Sequence, residues 1–319
     1  MTTSPDAVAL QARLLAWFAA NARDLPWRHT RDPYAILVSE IMLQQTQVER
    51  VIPKYLAFLT TFPTLAALAN APTAEVIRMW AGLGYNRRAV NLQRAARAVL
   101  EAHAGVFPRE VAALLRLPGV GPYTAGAVAC FAFEQDVAFI DTNIRRVLRR
   151  ARVGPDQHAP APAERELLAL GAALVPSGQG WVWNQALMEL GALICTAAAP
   201  SCHRCPIMAV CRANATWRTE EAALVLAMGA NFAPAPARVV RRVAERRTEP
   251  YQGSRRWFRG RLVDALRALP SDVTMPLADL GPLVKADFQP TDLPWLHELV
   301  TALAHDGLVR LEDDHVRLP

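Results

Sequence analysis

The sequence predicts an all-α protein to which the last part adds a small winged-helix-like module. Apolar residues recur three or four positions apart through most of the chain, which is the spacing of one helix face. Alternation of apolar and polar residues, the pattern of a half-buried strand, is almost absent before residue 240. Prolines separate the helical segments, at Pro63, Pro72, Pro108 and Pro118.

Helical spacing defines the elements in order. Seven segments place their apolar side chains on one face: Ala9–Ala22, Tyr34–Val48, Pro53–Thr60, Thr73–Ala81, Arg88–His103, Glu110–Leu115 and Glu164–Leu174. Asp141 ends an apolar run and starts a further helix, so its carboxylate is a candidate N-cap. Residues 215–249 contain Ala-Pro-Ala-Pro and an arginine-rich stretch, and this composition predicts a linker.

Residues 250–319 follow the order of a winged-helix module. A basic amphipathic helix is expected at Arg255–Leu269, a short apolar piece at Thr274–Leu277, and two further helices at Ala278–Lys285 and Asp292–Asp306. Gly307–Leu318 is expected to form a two-stranded wing. The same order is equally compatible with a packing domain that binds nothing.

Composition and charge favour a folded protein with a polyanionic partner. Hydrophobic residues make up 52% of the 319 residues, and no apolar run reaches the roughly 18 residues that a membrane span needs. The N-terminal Met-Thr-Thr-Ser-Pro-Asp lacks the basic and apolar regions of a secretory signal, so a cytoplasmic location is expected. The formal net charge is +6 and the isoelectric point is near 9.4. This charge suits nucleic acid, although many basic proteins never bind it.

Four of the five cysteines are clustered, with the spacing Cys195-x6-Cys202-x2-Cys205-x5-Cys211. A disulfide scaffold would spread its cysteines through a small secreted domain, so this clustering predicts a metal centre. Four thiolates suit either Zn²⁺ or a [4Fe–4S] cluster, and the spacing does not decide between them. The fifth cysteine, Cys130, lies in an apolar run and is expected in the core.

The segment Leu117-Pro118-Gly119-Val120-Gly121 predicts a tight turn between two helices. The glycines permit the turn and expose backbone N–H groups just before the helix that begins near Tyr123. Such N–H groups can hold a phosphate without a charged side chain. Gly119 and Gly121 are therefore candidate DNA-binding positions.

Taken together, the motifs resemble the MutY-type adenine glycosylases of the endonuclease III, or helix-hairpin-helix, superfamily. Residues 8–214 carry the resemblance in the following segments: Leu25-Pro26-Trp27-Arg28, Val38–Val48, Trp80–Tyr85, the glycine hairpin, Asp141-Thr142-Asn143, Asn184–Gly191 and the cysteine loop. The resemblance implies a six-helix barrel domain over residues 29–141 and a cluster domain formed by residues 1–28 and 142–214, with a cleft between them. It also implies that the four cysteines hold a [4Fe–4S] cluster.

The resemblance assigns catalytic roles. The matching glutamate, Glu40, is the acid that protonates the departing base, and burial in its apolar helix would favour the protonated form. Asp141, close to Asn143 in the chain, stabilises the cationic sugar, a division between two carboxyl groups that parallels glycoside hydrolysis. Tyr123 stands where bifunctional relatives carry a lysine that can form a Schiff base, so a monofunctional enzyme is expected.

A base inside a duplex is unreachable, so the target must be flipped out before it reacts. The resemblance assigns the DNA-facing positions as follows: Trp27, Arg28 and Gln185 in the adenine pocket, Gln45 and Thr46 near the partner base, and Leu83 and Tyr85 in a wedge. A packed turn is the alternative for Leu83 and Tyr85. The expected partner is duplex DNA with adenine opposite 8-oxoguanine or guanine, bound by a monomer without any membrane contact.

Two features depart from the family pattern. Asn86 stands where relatives often have a second tyrosine, and residues 250–319 lack the β pattern of the Nudix-like domain that recognises 8-oxoguanine in many members. Two alternatives stay open. One is a glycosylase of the same fold that removes a different mismatched or damaged base. The other is a non-catalytic iron–sulfur DNA-binding regulator, which would not need both Glu40 and Asp141.

Overall fold

A computed structural model describes residues 4–156, 160–228, 250–270 and 273–319. The first helices are α1 (Pro5–Asn21), α2 (Pro33–Leu43), α3 (Val48–Thr61), α4 (Leu65–Asn70), α5 (Thr73–Met79), α6 (Arg87–Ala102), α7 (Val111–Leu114) and α8 (Pro122–Phe133). The middle of the chain forms α9 (Thr142–Leu148), α10 (Glu164–Leu174), α11 (Gly180–Leu193) and α12 (Arg212–Met228). Residues 250–319, the C-terminal module, form α13 (Arg255–Arg267), β1 (Met275–Pro276), α14 (Leu277–Val284), α15 (Leu293–His305), β2 (Arg310–Glu312) and β3 (His315–Arg317). This order confirms the predicted helical fold and its winged-helix-like ending.

Side-chain caps set where several helices begin. Ser4, Asp32 and Ser254 each accept a hydrogen bond from a backbone N–H of the first turn, at 3.3, 3.0 and 3.3 Å. Asp141 caps α9 in the same way, with its Oδ1 2.6 Å from the backbone nitrogen of Ile144. The predicted N-cap at Asp141 is therefore confirmed. Across the described parts of the chain, no helix combines the length and apolar character that a membrane crossing requires.

The chain divides into two compact units, which differ from the predicted domains. The first unit contains the described residues of 4–24 and 125–228, and the second contains those of 25–124 and 250–319. Residues 125–141, predicted to belong to the barrel, thus lie with the cysteine segment. The C-terminal module lies in the same unit as residues 25–124.

In the first unit, α1 and α9 both pack against α11. The contact with α9 is close, because a Cβ atom on Gly191 would lie only 2.6 Å from the Cβ of Asn143. Glu189 on α11 is almost fully buried and accepts hydrogen bonds from the backbone and guanidinium of Arg23 at 2.8–3.0 Å. This paired charge ties α11 to the residues that follow α1.

In the second unit, α2 is buried along almost its whole length, from Tyr34 to Met42. It packs against α3 and α6, and α4 and α5 also pack against α6. The C-terminal module joins this unit through a shared apolar core, in which Ile77 of α5 and Val90 of α6 contact residues of α13 to α15. Its three strands form an antiparallel sheet in the order β1-β3-β2.

The predicted linker at 215–249 begins as a helix, because α12 continues to Met228. Trp217 on α12 lies 5.8 Å from the guanidinium of Arg150, which gives this helix a packing partner. Residues 229–249 of the predicted linker lie outside the described residues.

Candidate active site

Glu40 lies in the middle of α2, and only 3% of its surface is exposed. Tyr123, at the start of α8, donates a hydrogen bond from its phenol to Oε2 of Glu40 at 2.7 Å. Burial disfavours the charged form of a carboxyl group, and the phenol holds the carboxyl in one orientation. The pair therefore has the surroundings of a group that can deliver a proton.

Asp141, the second predicted carboxylate, is half-buried and is held by N–H donors. Its Oδ1 accepts from the backbone of Ile144, and its Oδ2 accepts from Nδ2 of Asn143 at 3.1 Å. The Oδ1 of Asn143 in turn accepts from Nη2 of Arg146 at 2.7 Å. Donors on both oxygens stabilise negative charge, so this site suits a carboxylate that faces a developing cation.

Two arginines after Asp141 hold the cysteine loop (residues 195–211). Arg146 donates its Nε to the backbone oxygen of Cys195 at 2.6 Å. Arg150, in the π-helical turn that extends α9, is 2% exposed and donates to the backbone oxygen of Thr196 at 2.7 Å and to Sγ of Cys195 at 3.6 Å. Sequence reasoning assigned no role to these arginines. Their spacing of four residues, which puts them on one helix face, is the signal that could have revealed a shared role.

All four cysteines of the loop line one cavity in the first unit, beside Arg150, Met208 and Trp217. They form no disulfide, and burial raises the pKa of the Cys205 thiol to about 12. Within the described ranges, no three His, Cys, Asp or Glu side chains are arranged around a single ion. A four-iron cluster instead takes one thiolate at each iron, so its ligands surround a cavity. The donor set and its placement fit such a cluster.

The glycine hairpin needs its first glycine for the fold. Gly119 has a φ of +75°, and a Cβ atom there would lie 2.6 Å from the Cβ of Asn91. A Cβ atom on Gly121 would meet nothing within 4 Å, and the φ of Gly121 is not positive. Folding alone therefore does not require glycine at 121, where the backbone is open to a close approach.

The predicted base-contacting residues have different environments. Trp27 is buried and its ring lies edge-on to Tyr55, with centroids 5.5 Å apart. Arg28 is half-buried in the same unit. Gln185 is buried on α11 of the first unit, whereas Gln45 is exposed with a φ of +55°.

Leu83 and Tyr85 belong to a turn (residues 82–85, the Tyr85 turn) that is held in place by Arg88. Leu83 is buried, while Tyr85 is 43% exposed with a φ of +47°. Nη1 of Arg88 donates to the backbone oxygens of Ile41, Met42 and Gln44 at 2.6–3.1 Å. Its Nη2 donates to the oxygens of Leu83, Gly84 and the Thr46 hydroxyl at 3.0–3.2 Å. Burial lowers the pKa of Arg88 to about 10, so the guanidinium stays charged at neutral pH. Sequence reasoning missed this residue.

Several known proteins share this sequence and fold. Residues 38–172 match the family model of the HhH-GPD superfamily of base excision DNA repair proteins. The adenine DNA glycosylase of Mycolicibacterium smegmatis is 43% identical over 269 residues, covering 84% of this chain and 83% of that protein. The human adenine DNA glycosylase is 43% identical over 219 residues, covering 66% of this chain and 40% of that protein.

Solved structures agree with this relationship. A thermostable thymine-DNA glycosylase superposes with a TM-score of 0.62 at 33% identity, covering 66% of this chain and 97% of that one. Endonuclease III in a non-covalent complex with DNA gives a TM-score of 0.59 at 22% identity, covering 69% of this chain and 100% of that one, which shows the fold alone. The sequence matches show that the chain belongs to the adenine DNA glycosylase family of the HhH-GPD superfamily, and these structures share its fold.

Proposed function

We propose that this enzyme excises adenine from duplex DNA where adenine lies opposite 8-oxoguanine or guanine, and that it does not cut the strand itself. The observation that carries the proposal is the buried Glu40 with the phenol of Tyr123 at 2.7 Å. A phenol has no amine and cannot form a Schiff base with the abasic sugar. This favours a monofunctional enzyme that works through carboxyl groups.

The proposed reaction divides two tasks between the carboxyl groups. Adenine leaves with the electron pair of its glycosidic bond, so it must receive a proton, and Glu40 is the donor. The sugar becomes cationic at C1′, and Asp141, oriented by Asn143, stabilises that charge until a water oxygen bonds to C1′ and the water releases one proton.

The proposed DNA contacts surround the flipped adenine. Trp27, Arg28 and Gln185 would form its pocket, Gln45 and Thr46 would face the partner base, and the exposed Tyr85 rather than the buried Leu83 would enter the duplex. The backbone N–H groups between Gly119 and Gly121 would bind a phosphate. The proposed active form is a cytoplasmic monomer.

We also propose that Cys195, Cys202, Cys205 and Cys211 hold a [4Fe–4S] cluster. When bound, the cluster would cross-link the cysteine loop through four Fe–S bonds and leave hydrolysis to the carboxyl groups. Cys202→Ser is expected to lose iron, folded protein and DNA affinity together, measured by iron content, thermal unfolding and duplex binding. Cys130→Ser, outside the loop, is the control and should keep its iron. A Cys202→Ser variant that binds and excises normally would contradict this role.

The test of the function uses four labelled duplexes: adenine opposite 8-oxoguanine, adenine opposite guanine, adenine opposite thymine, and thymine opposite guanine. Strand breaks are scored with and without alkali. We expect alkali-dependent breaks at adenine in the first two duplexes and none in the others. Efficient borohydride trapping of the protein on DNA would contradict a monofunctional mechanism.

Each other pattern of breaks favours an alternative. Equal cutting at adenine opposite guanine and opposite 8-oxoguanine would support adenine excision but contradict a preference for 8-oxoguanine. Cutting of thymine opposite guanine would move the substrate towards that of the thymine-DNA glycosylase with the similar structure. Binding without any cutting would favour the non-catalytic regulator.

A further inference from the structure

A cavity of about 710 Å³ lies within the second unit, between the Tyr85 turn and helix α13 of the C-terminal module. Six arginines line it, against two aspartates, Asp264 and Asp306. Both acids are paired within the lining: Asp264 with Arg267, and Asp306 with Arg259. An excess of positive charge therefore remains, and it favours an anionic occupant.

Arg256 is the best-placed cation of this cavity. It is exposed, and its guanidinium lies 4.7 Å from the ring of Tyr85 and 4.9 Å from the ring of Tyr251. Nη1 also donates to the Tyr85 hydroxyl at 2.7 Å. Guanidinium has five N–H donors, so this contact orients the group and leaves donors for a phosphate.

Arg259 lies one helical turn further along α13 and is partly exposed. Its partner Asp306 is shared with Arg87 of α6, whose guanidinium lies 3.3 Å from the same carboxylate. One carboxylate thus orients two cations, Arg259 from the C-terminal module and Arg87 from the start of α6. The pair keeps a net positive charge towards the cavity.

Hydrogen bonds and apolar packing join the elements that form the walls of the cavity. The backbone nitrogen of Ala74 in α5 donates to the oxygen of Pro319 at 3.0 Å, and Arg267 donates to Ile77 and Asn86 at 3.0 and 2.8 Å. Together with the shared apolar core, these bonds hold α13 against the Tyr85 turn. The arginines of the module are therefore positioned before any ligand binds, which lowers the entropic cost of binding.

We infer that this cavity binds the phosphodiester backbone of duplex DNA beside the target base, and that Arg256 and Arg259 are its contacts from the C-terminal module. The inference rests on the proposed function, because it takes DNA as the substrate. The C-terminal module would thus take part in DNA binding, a role that its resemblance to a winged-helix module alone does not establish.

The test compares Arg256→Ala, Arg259→Ala and the double variant with the wild-type full chain. The probe is a duplex with an uncleavable 2′-fluorinated adenosine opposite 8-oxoguanine, and Kd is measured over a range of salt concentrations. We expect the double variant to raise Kd about tenfold or more, and to lower the slope of log Kd against log salt by roughly one for each phosphate that the variant no longer binds. Arg255→Ala is the matched control, because Arg255 is the neighbouring exposed arginine of α13, pairs with Glu298 and does not line the cavity.

A second experiment locates the bound phosphate. Neutral methylphosphonates replace single phosphates on either strand, and each substitution is combined with Arg256→Ala in a double-mutant cycle. The phosphate that Arg256 binds should show losses of affinity that do not add. Losses that add at every phosphate, or an equal loss in Arg255→Ala, would overturn the assignment.

Two further readouts separate the possible failures. Thermal unfolding checks each variant, and Arg256→Gln replaces Arg256→Ala if the alanine variant unfolds early. If the wild type binds and excises adenine but Arg256 variants bind equally well, only this inference fails. If the wild type excises no base, the proposed function fails, and the binding data still decide the role of the cavity.

Discussion

The two carboxyl groups that carry the proposed chemistry are built in opposite ways. Glu40 is buried inside α2 and accepts a hydrogen bond from the phenol of Tyr123 in the same unit. Asp141 is half-buried at a helix N-terminus, and amide N–H groups contact both of its oxygens. Glu40 is thus shielded from water beside a hydroxyl group, whereas Asp141 is held by N–H donors on both oxygens. These different surroundings suit the two roles proposed for the groups, an acid and a charge stabiliser.

The comparison extends to what supports each group. Glu40 depends on the packing of α2, which Arg88 ties to the Tyr85 turn through carbonyl oxygens. Asp141 depends on a chain of polar contacts through Asn143 and Arg146 to the backbone of Cys195. A change in the cysteine loop should therefore reach Asp141 directly, whereas Glu40 belongs to the other unit.

The largest expected effect is that of Glu40→Gln. An amide has nearly the same shape and can still accept the hydrogen bond of Tyr123, but it cannot donate the proton that adenine needs. We expect the single-turnover rate of excision to fall about a thousandfold or more, with duplex affinity preserved. Rate and Kd are measured on the duplex with adenine opposite 8-oxoguanine. Retained turnover in this variant would remove Glu40 from the mechanism.

The next effect is that of Asp141→Asn, which removes the negative charge and keeps the helix cap. Asparagine caps helices about as well as aspartate, so the free energy of unfolding should change by less than about 1 kcal/mol. Excision should nevertheless slow roughly a hundredfold, because the cationic sugar loses its counter-charge.

Asp32→Asn is the matched control for Asp141→Asn, since Asp32 caps α2 through the same kind of hydrogen bond. Both variants should unfold at nearly the wild-type temperature, and only Asp141→Asn should lose excision. Equal losses of rate in the two variants would mean that capping, rather than charge, explains the effect.

Local patterns predicted the fold well where one helix face is apolar. The C-terminal module shows this, because its helices at Arg255–Arg267, Leu277–Val284 and Leu293–His305 and its wing lie close to the expected positions. The spacing rule did not single out α11, which is buried on most sides and so lacks a polar face to set its period. It also did not find α4, whose six residues are too few to show a period.

The hydrogen bonds that hold the site residues in place could not be predicted, because they join residues that are far apart in the sequence. Arg88 contacts Ile41 and Gln44, 47 and 44 positions away, and no local pattern encodes such an approach. The same holds for the hydrogen bond from Arg256 to Tyr85, because these residues lie 171 positions apart. In the glycine hairpin, even a local difference could not be predicted. Gly119 and Gly121 look equivalent in the sequence, yet only Gly119 has a positive φ.

The smallest expected effect is that of Tyr123→Phe, which removes the phenol that orients Glu40. A single hydrogen bond contributes about 0.5–1.5 kcal/mol, so excision should slow roughly two- to tenfold while the acid remains. Tyr34→Phe is the control, because Tyr34 is another phenol of the second unit with one donated hydrogen bond, here to the backbone oxygen of Phe62 at 2.7 Å. Both variants should lose similar stability in thermal unfolding, and only Tyr123→Phe should slow the single-turnover step. A Tyr123→Phe rate as low as that of Glu40→Gln would show that the phenol takes part in proton transfer, and the two carboxyl groups would then no longer share the chemistry alone.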